Sequence, residues 1–277
     1  MNLSYLRLYI LFLFIGGFSV NSQSFKVISY NIRYDNPNDG VNKWDSRKDE
    51  LVDFIRNENA LILGLQESLK HQIDFILEGI PDYEFIGVGR EDGKEKGEYA
   101  PIVFDKIKLK VIESATFWLS DTPEVVSTGW DAALPRVCTY GLFEELKTGR
   151  HFFVFNTHFD HIGENARLES AKLIAKKIDL LNRKNIPVIF MGDLNARPSD
   201  EPILFLSEKL SDGQKLSKVP FDGNQGTFSN FEDKLYDRID YIFISNFKVS
   251  AYIHSEAKRK NGLQLSDHVP IITLLEF

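Results

Sequence analysis

Short apolar runs, each closing on a polar cluster, recur along the chain. Those at 25–30, 61–65, 101–104, 109–118, 137–144, 152–159, 187–191, 241–244, 249–254 and 269–275 are rich in Val, Ile, Phe and Tyr and bounded by turn residues. They read as strands. Three stretches change period. Ser46 to Asn57 carries apolar residues at 51, 52, 54 and 55, Lys70 to Leu77 is shorter, and Glu164 to Asn182 repeats Leu168, Ala171, Ile174, Ala175, Ile178 and Leu181 on one helical face. Strands outnumber helices, which predicts two packed sheets with helices on their outer faces. No linker, repeat or low-complexity tract interrupts the pattern, and the polar clusters run from residue 31 to 268. A single domain over 23–277 is therefore expected.

Residues 1–22 stand apart. Arg7 precedes the run Leu-Tyr-Ile-Leu-Phe-Leu-Phe-Ile, and Gly-Gly-Phe-Ser-Val-Asn-Ser follows it. This order predicts a secretory signal peptide, and with it export to the periplasm or the extracellular space. The apolar stretch falls short of the ~20 residues of a membrane span, so an uncleaved anchor is the weaker reading. No cysteine follows the run, which argues against a lipid anchor. Cys138 is the only cysteine. An exported chain without disulfides must then rest on its core, and about 250 residues can bury a large one.

Each polar cluster sits at the end of an apolar run: Asn31, Gln66-Glu67, Asn156-Thr157-His158, Gly192-Asp193-Leu194-Asn195, Arg238-Ile239-Asp240-Tyr241 and Ser266-Asp267-His268. Taken singly they have plain readings. Asp193-Leu194-Asn195 could be a turn bonding its own backbone, and His158 a histidine at a strand end. A carboxylate such as Asp240 inside an apolar strand is harder to place without a partner. Taken together, carboxylates, amides and histidines at strand ends can converge on one hard cation and one phosphate. The pairs expected are His158 with Asp240 and His268 with Glu98. His161 follows His158 by three, but no further His or Cys stands at zinc-ligand spacing. His71, His151 and His254 need no role.

In these motifs the chain resembles the endonuclease/exonuclease/phosphatase superfamily typified by deoxyribonuclease I, over roughly residues 25 to 277. Ser29-Tyr30-Asn31, Leu65-Gln66-Glu67, Thr157-His158, Gly192-Asp193-Leu194-Asn195, Ile239-Asp240-Tyr241 and Ser266-Asp267-His268 match in order. The resemblance implies a deoxyribonuclease I-like fold, a four-layer α/β sandwich of two packed mixed sheets flanked by helices. It implies Mg²⁺, with Mn²⁺ as a substitute, on Glu67, supported by Asn31 and Asp267. Asp193 and Asn195 would orient the attacking water or contact the phosphate, His158 and His268 would face the phosphate, and Asp240 and Glu98 would orient the histidines. Arg136 and Tyr99 fall where relatives bind phosphate. Arg33 stands where some DNA-repair members carry a metal-side Asp, which weakens a second metal site.

The expectation is an exported, metal-dependent phosphoester hydrolase, nuclease-like or phosphodiesterase-like in the first instance. The alternatives are a phospholipase C-like or sugar or lipid phosphatase of the same family, and a non-catalytic extracellular binding module. The partner is the phosphoester itself: nucleic acid, nucleotide, lipid head group or sugar phosphate. A monomer is expected. Charge bears on the choice, because the chain carries −7 and loss of Arg7 with the signal leaves −8. Clustered Lys and Arg usually supply the affinity for duplex DNA, whereas Lys106–Lys110, Lys172–Lys184 and Lys258–Lys260 read as solvated faces. Two loops, 34–45 and 117–136, border the motifs. Trp118 and Trp130 in the second either stack on substrate or pack the loop down.

Overall fold

The computed structural model describes residues 24–221 and 223–277, so the expected signal segment, 1–22, lies outside the described residues. The strands are β1 (Phe25–Asn31), β2 (Ile62–Gln66), β3 (Tyr83–Ile86), β4 (Ile102–Asp105), β5 (Leu109–Trp118), β6 (Val137–Glu145), β7 (Arg150–His158), β8 (Val188–Asp193), β9 (Ser211–Asp212), β10 (Asp240–Ser245), β11 (Lys248–His254) and β12 (Ile271–Glu276). The helices are α1 (Lys48–Glu58), α2 (Lys70–Gly79), α3 (Glu164–Leu181), α4 (Glu201–Lys209) and the single turn α5 (Gly213–Leu216). The strands form two six-stranded sheets, ordered β11-β12-β1-β2-β4-β3 and β5-β6-β7-β8-β10-β9.

Near-continuous apolar strands are what a sheet covered on both faces requires. Between the sheets, Val27, Ile62, Ile102 and Ile271 of the first meet Phe143, Phe152, Val154, Ile189 and Met191 of the second. On the outer face of the first sheet, Leu51, Val52 and Ile55 of α1 and Ile76 of α2 pack on Ile28, Leu63 and Val103. Opposite them, Ala171, Ile174 and Ile178 of α3 and Ile203 and Leu206 of α4 cover Phe155, Phe190 and Phe243. Four layers result, as the sequence implied. At ~1.5–3 kcal/mol per fully buried large apolar side chain, these three clusters are the main stabilising term.

Four elements escape the sequence pattern, among them the single turn α5. β3 is a half-buried edge strand of Tyr-Glu-Phe-Ile, β9 has two residues, and α4 follows the Asp200-Glu201-Pro202 start that presets a first helical turn. Among the described residues no helix is long and apolar enough to cross a membrane.

Candidate active site

Among the described residues two strand pairs are parallel, β1–β2 in one sheet and β7–β8 in the other. Their carboxyl ends lie at the same end of the sandwich, the edge where α/β sheets hold ligands. Register fixes who meets there. Asn31 pairs with Gln66, His158 with Asp193, and Asp193 with Asp240 across the antiparallel β10. Loops then add Glu67 after β2, Asn195 after β8, and Asp267 and His268 before β12. The resulting cavity of about 480 Å³ is lined by Arg33, Tyr34, Glu67, Glu98, Leu134, Arg136, His158, His161, Asp193, Asn195, Phe228, Asn230, Ile239, Asp267 and His268.

Beneath it, buried amides tie the sheets together. Asn156 donates to the carbonyls of Leu65 and Pro101, both at 2.8 Å, and accepts from Gln66 Nε2 at 2.7 Å. Gly64 makes room for this: a Cβ there would lie 2.7 Å from Asn156 Oδ1 and 2.8 Å from Met191 Cε. Gly192, at φ 153°, places its missing Cβ against the Thr157 carbonyl, so β8 can hug β7 one residue before Asp193.

Asn31 bridges the two halves of the site. Its Nδ2 donates to Asp193 Oδ2 at 3.0 Å and to Glu67 Oε1 at 3.1 Å, while its Oδ1 accepts the Arg33 backbone N–H. Its amide nitrogen thus ties the two carboxylates together. Glu67 Oε2 also accepts from the Tyr34 backbone N–H. Arg33, gripped through two nitrogens by Asp39, points its third toward Asp267 at 3.5 Å and Glu67 at 3.9 Å. Arg33, Glu67 and Asn195 all have left-handed backbone, with φ 58°, 59° and 46°. Such strain in non-glycine residues gathers at functional sites.

The expected histidine pairing is corrected. His268 Nδ1, not His158, meets Asp240 Oδ2, at 2.8 Å. His158 and Asp240 stand on either side of β8, two strand spacings or roughly 9–10 Å apart, too far to touch. His268 descends from the other sheet beside Asp240, with its Nε2 3.7 Å from Asp193 Oδ2. Against burial, which disfavours an imidazolium, Asp240 and Asp193 hold His268 charged well above its usual range. His158 is the opposite case: burial, reinforced by Arg136 and Arg90, keeps it neutral. Its Nε2 accepts from Asn195 Nδ2 at 3.0 Å, and the same amide donates to the Phe159 carbonyl. Both amide contacts of Asn195 thus run to the protein here. Burial, with Asp240 nearby, pushes the Asp193 carboxyl up to about 7.

Glu98 does not reach His268. It forms a two-point ion pair with Arg90, both contacts at 2.8 Å, and stands 4.0 Å from His158 Nδ1. Arg136 is brought to the cavity, with Nε on Asp160 and Nη2 on His161 Nδ1, while its buried Nη1 has no protein partner. Tyr99 is not brought in: its hydroxyl donates to the Lys94 carbonyl. The tryptophans pack the loop. Trp118 is buried on Ala100 and Val137 and donates to the Arg90 carbonyl, and Trp130 lies on the α3-side core. Cys138 is a buried core residue.

A family model described as "Endonuclease/Exonuclease/phosphatase family" matches residues 28–268. The chain belongs to this family. Among solved structures it is similar to a mannosyl-6-phosphatase of Bacteroides thetaiotaomicron, with 37% identity, 92% of this chain and 100% of that one covered, and a TM-score of 0.85. A functionally unknown conserved protein of Enterococcus faecalis is similar at 29% identity, over 91% of this chain and 99% of that one, with a TM-score of 0.84. The human Nocturnin catalytic domain, at 21% identity and a TM-score of 0.74 over 92% and 93% of the two chains, shares the fold. By sequence, the uncharacterized protein L388 of Acanthamoeba polyphaga mimivirus is 27% identical over 257 residues, 85% of this chain and 93% of its own length.

Endonuclease/exonuclease/phosphatase enzymes are phosphoester hydrolases that generally use divalent metals, and the donor set here suits one. Asp193, Asp240 and His268 bring ligand-type atoms within 4.8 Å of one another, but with His268 charged and bonded to Asp240 that trio is committed to itself, and Glu67 and Asp267 are the carboxylates open to the cavity. Glu67 and Asp267 already share one cation, the Arg33 guanidinium. Burial raises the Asp267 carboxyl, His268 lowers it, and Glu67 raises it again. Crowded carboxylate oxygens of this kind favour a hard divalent ion.

Sequence reasoning did not select Arg33 as a site group, nor Tyr34, Phe228 or Asn230. Arg33 lies two residues from a motif amide, which was a usable signal. Phe228, against His268 at 5.1 Å between centroids, sits in a stretch without periodicity.

Proposed function

We propose that this chain is an exported, Mg²⁺-dependent phosphomonoesterase acting on a phosphorylated sugar. The observation that carries the reading is the confinement of phosphate-attracting groups to one small cavity: Arg33, Arg136 and the imidazolium of His268 face a space of about 480 Å³. A net charge of −7 supports a compact monoester over a polynucleotide track. The 37% identity to a mannosyl-6-phosphatase points the same way. Residues 1–22 support export.

Glu67 and Asp267 would hold the Mg²⁺, which when bound offsets charge on the phosphoryl group or the leaving oxygen. Asp193 is the group to receive a proton from the attacking water: burial and Asp240 raise its carboxyl above the usual range, which makes its carboxylate a stronger base. Asn31 fixes that carboxylate through Nδ2. His268, held by Asp240, presents Nε2–H to the phosphoryl oxygens, and Arg136, which lines the same cavity, adds positive charge beside them. Neutral His158, anchored by Asn195, shapes the wall beside Asp193.

Hydrolysis of mannose 6-phosphate, p-nitrophenyl phosphate and bis-p-nitrophenyl phosphate would be compared with Mg²⁺, Mn²⁺ or EDTA. Monoester cleavage that EDTA abolishes, and that falls at least ~10²-fold in Glu67→Ala and His268→Ala, is the expected result. Preference for the diester would replace this reading with the phosphodiesterase one.

A further inference from the structure

A second cavity of about 660 Å³ opens directly beside the catalytic one, and Asn195, Phe228 and Ile239 line both. A substrate anchored by its phosphate on the Arg136 and His268 side must send its organic part past these three residues or into solvent. The chemistry of the second cavity differs from that of the first. Arg167 and Arg197 are its cations, and Glu164, Asp200, Glu201 and Asp237 its carboxylates. Arg197 is partly spent on Asp237, at 2.9 Å, and Arg167 on the Asp160 carbonyl, at 3.0 Å.

This composition selects by exclusion. A second phosphate of a polynucleotide would meet four carboxylates against two already engaged guanidiniums. A lipid tail would find only Pro202, Phe228 and Ile239 to cover it, too little apolar surface to offset what it leaves in water. A neutral polyol is different. Its hydroxyls both donate and accept, so they can use carboxylates and guanidinium N–H groups alike. The Phe228 ring offers an apolar face for the C–H side of a sugar.

We propose that this cavity is a subsite for a second sugar, linked to the one whose phosphate is removed, so that the preferred substrate is a phosphorylated oligosaccharide instead of a free sugar phosphate. The proposal rests on the phosphatase reading above and adds the leaving group's extent to it. The volume suits it, since the catalytic cavity accommodates a phosphate and one ring, and the adjoining one is larger still.

The test has two arms. In the first, steady-state kinetics compare mannose 6-phosphate with mannobiose phosphorylated at the same position of its non-reducing unit, for the wild type, Glu164→Ala and the double variant Arg197→Ala/Asp237→Ala. The expected result is a KM about tenfold lower for the disaccharide in the wild type, shrinking toward parity in the variants. Turnover of mannose 6-phosphate should stay within about twofold of wild type throughout. In the second arm, unphosphorylated mannobiose is titrated against the metal-free proteins by ligand-observed NMR, which needs no activity. Saturation transfer is expected with the wild type and its loss with the double variant. Equal KM values for the two substrates in the wild type overturn the subsite, as does a preference that survives both variants, or absent mannobiose transfer. Hydrolysis of neither phosphate together with mannobiose transfer would sink the phosphatase reading while leaving the sugar site standing.

Discussion

His268 and Asp240 illustrate what a single contact decides at the scale of residues. Because Asp240 accepts from Nδ1, the other ring nitrogen is left as a donor aimed across the cavity. Removing either partner should disable the same function. His268→Gln is expected to lower kcat by ~10²–10⁴-fold, Asp240→Asn by a comparable factor, and the double variant by little more than either alone. Multiplying losses in that cycle, measured as kcat/KM, would show that the two act separately. The residue scale is also where the sequence misled. Spacing marked His158, His268, Glu98 and Asp240 as chemistry-bearing, yet which carboxylate faces which ring depends on the β7-β8-β10 order, and that order comes from long-range pairing. Asn195 was legible as a motif residue, but its amide is consumed by Phe159 and His158, a choice set by a left-handed turn.

Among elements, the joints between loops and strands carry the load. Asp131, on the loop before β6, accepts from the Ala166 and Asn165 backbone N–H groups and so caps α3 from a distance, a role no side chain of the Gly163 cap can fill. Asp160 does the complementary work at the end of β7. It is buried, which alone would raise its carboxyl, but the N–H groups of Gly163, Ala133 and Ile162 and the Arg136 guanidinium lower it to about 2. A carboxyl depressed in the folded state contributes stability above its unfolded value near 3.9, and that contribution is lost as pH falls through about 2. Urea midpoints should therefore show wild type ahead of Asp160→Asn at pH 6, with the gap closing between pH 4 and 2. A constant gap across that window would mean the carboxylate charge is not what holds the loop. Strand β2 makes a steric prediction. Gly64→Ala pushes a methyl into Asn156 and Met191 and is expected to cost ~1–3 kcal/mol, read as a lower urea midpoint at unchanged slope. Long strands and α1, α2 and α3 were legible because their periods are regular. The half-buried edge β3 shows no clean alternation, and α4 announced itself only through Asp200 and Pro202, a start signal without a long periodic body.

For the whole molecule, charge and architecture act together. The sandwich was readable from the ratio of strands to helices, whereas the two adjoining cavities were not, because they are formed by loops whose shape no periodicity encodes. A chain of net charge −7 whose second cavity is more acidic than basic should hold polyanions poorly. Duplex DNA added as a competitor at 50 mM salt is expected to leave KM for the sugar phosphate unchanged, and strong inhibition that weakens steeply with salt would point to a nucleic-acid track.

The placement of β1 has one more consequence. This strand bears Asn31, and it lies between β2, which follows it closely in sequence, and β12, which ends at Glu276. Its second edge stays open until the last strand arrives, and Asp267 and His268 come only on the approach to that strand. A chain synthesised only as far as β11 has neither a closed first sheet nor a complete site. The first sheet and the candidate site are thus completed in the same step of synthesis, after the other described strands have been made.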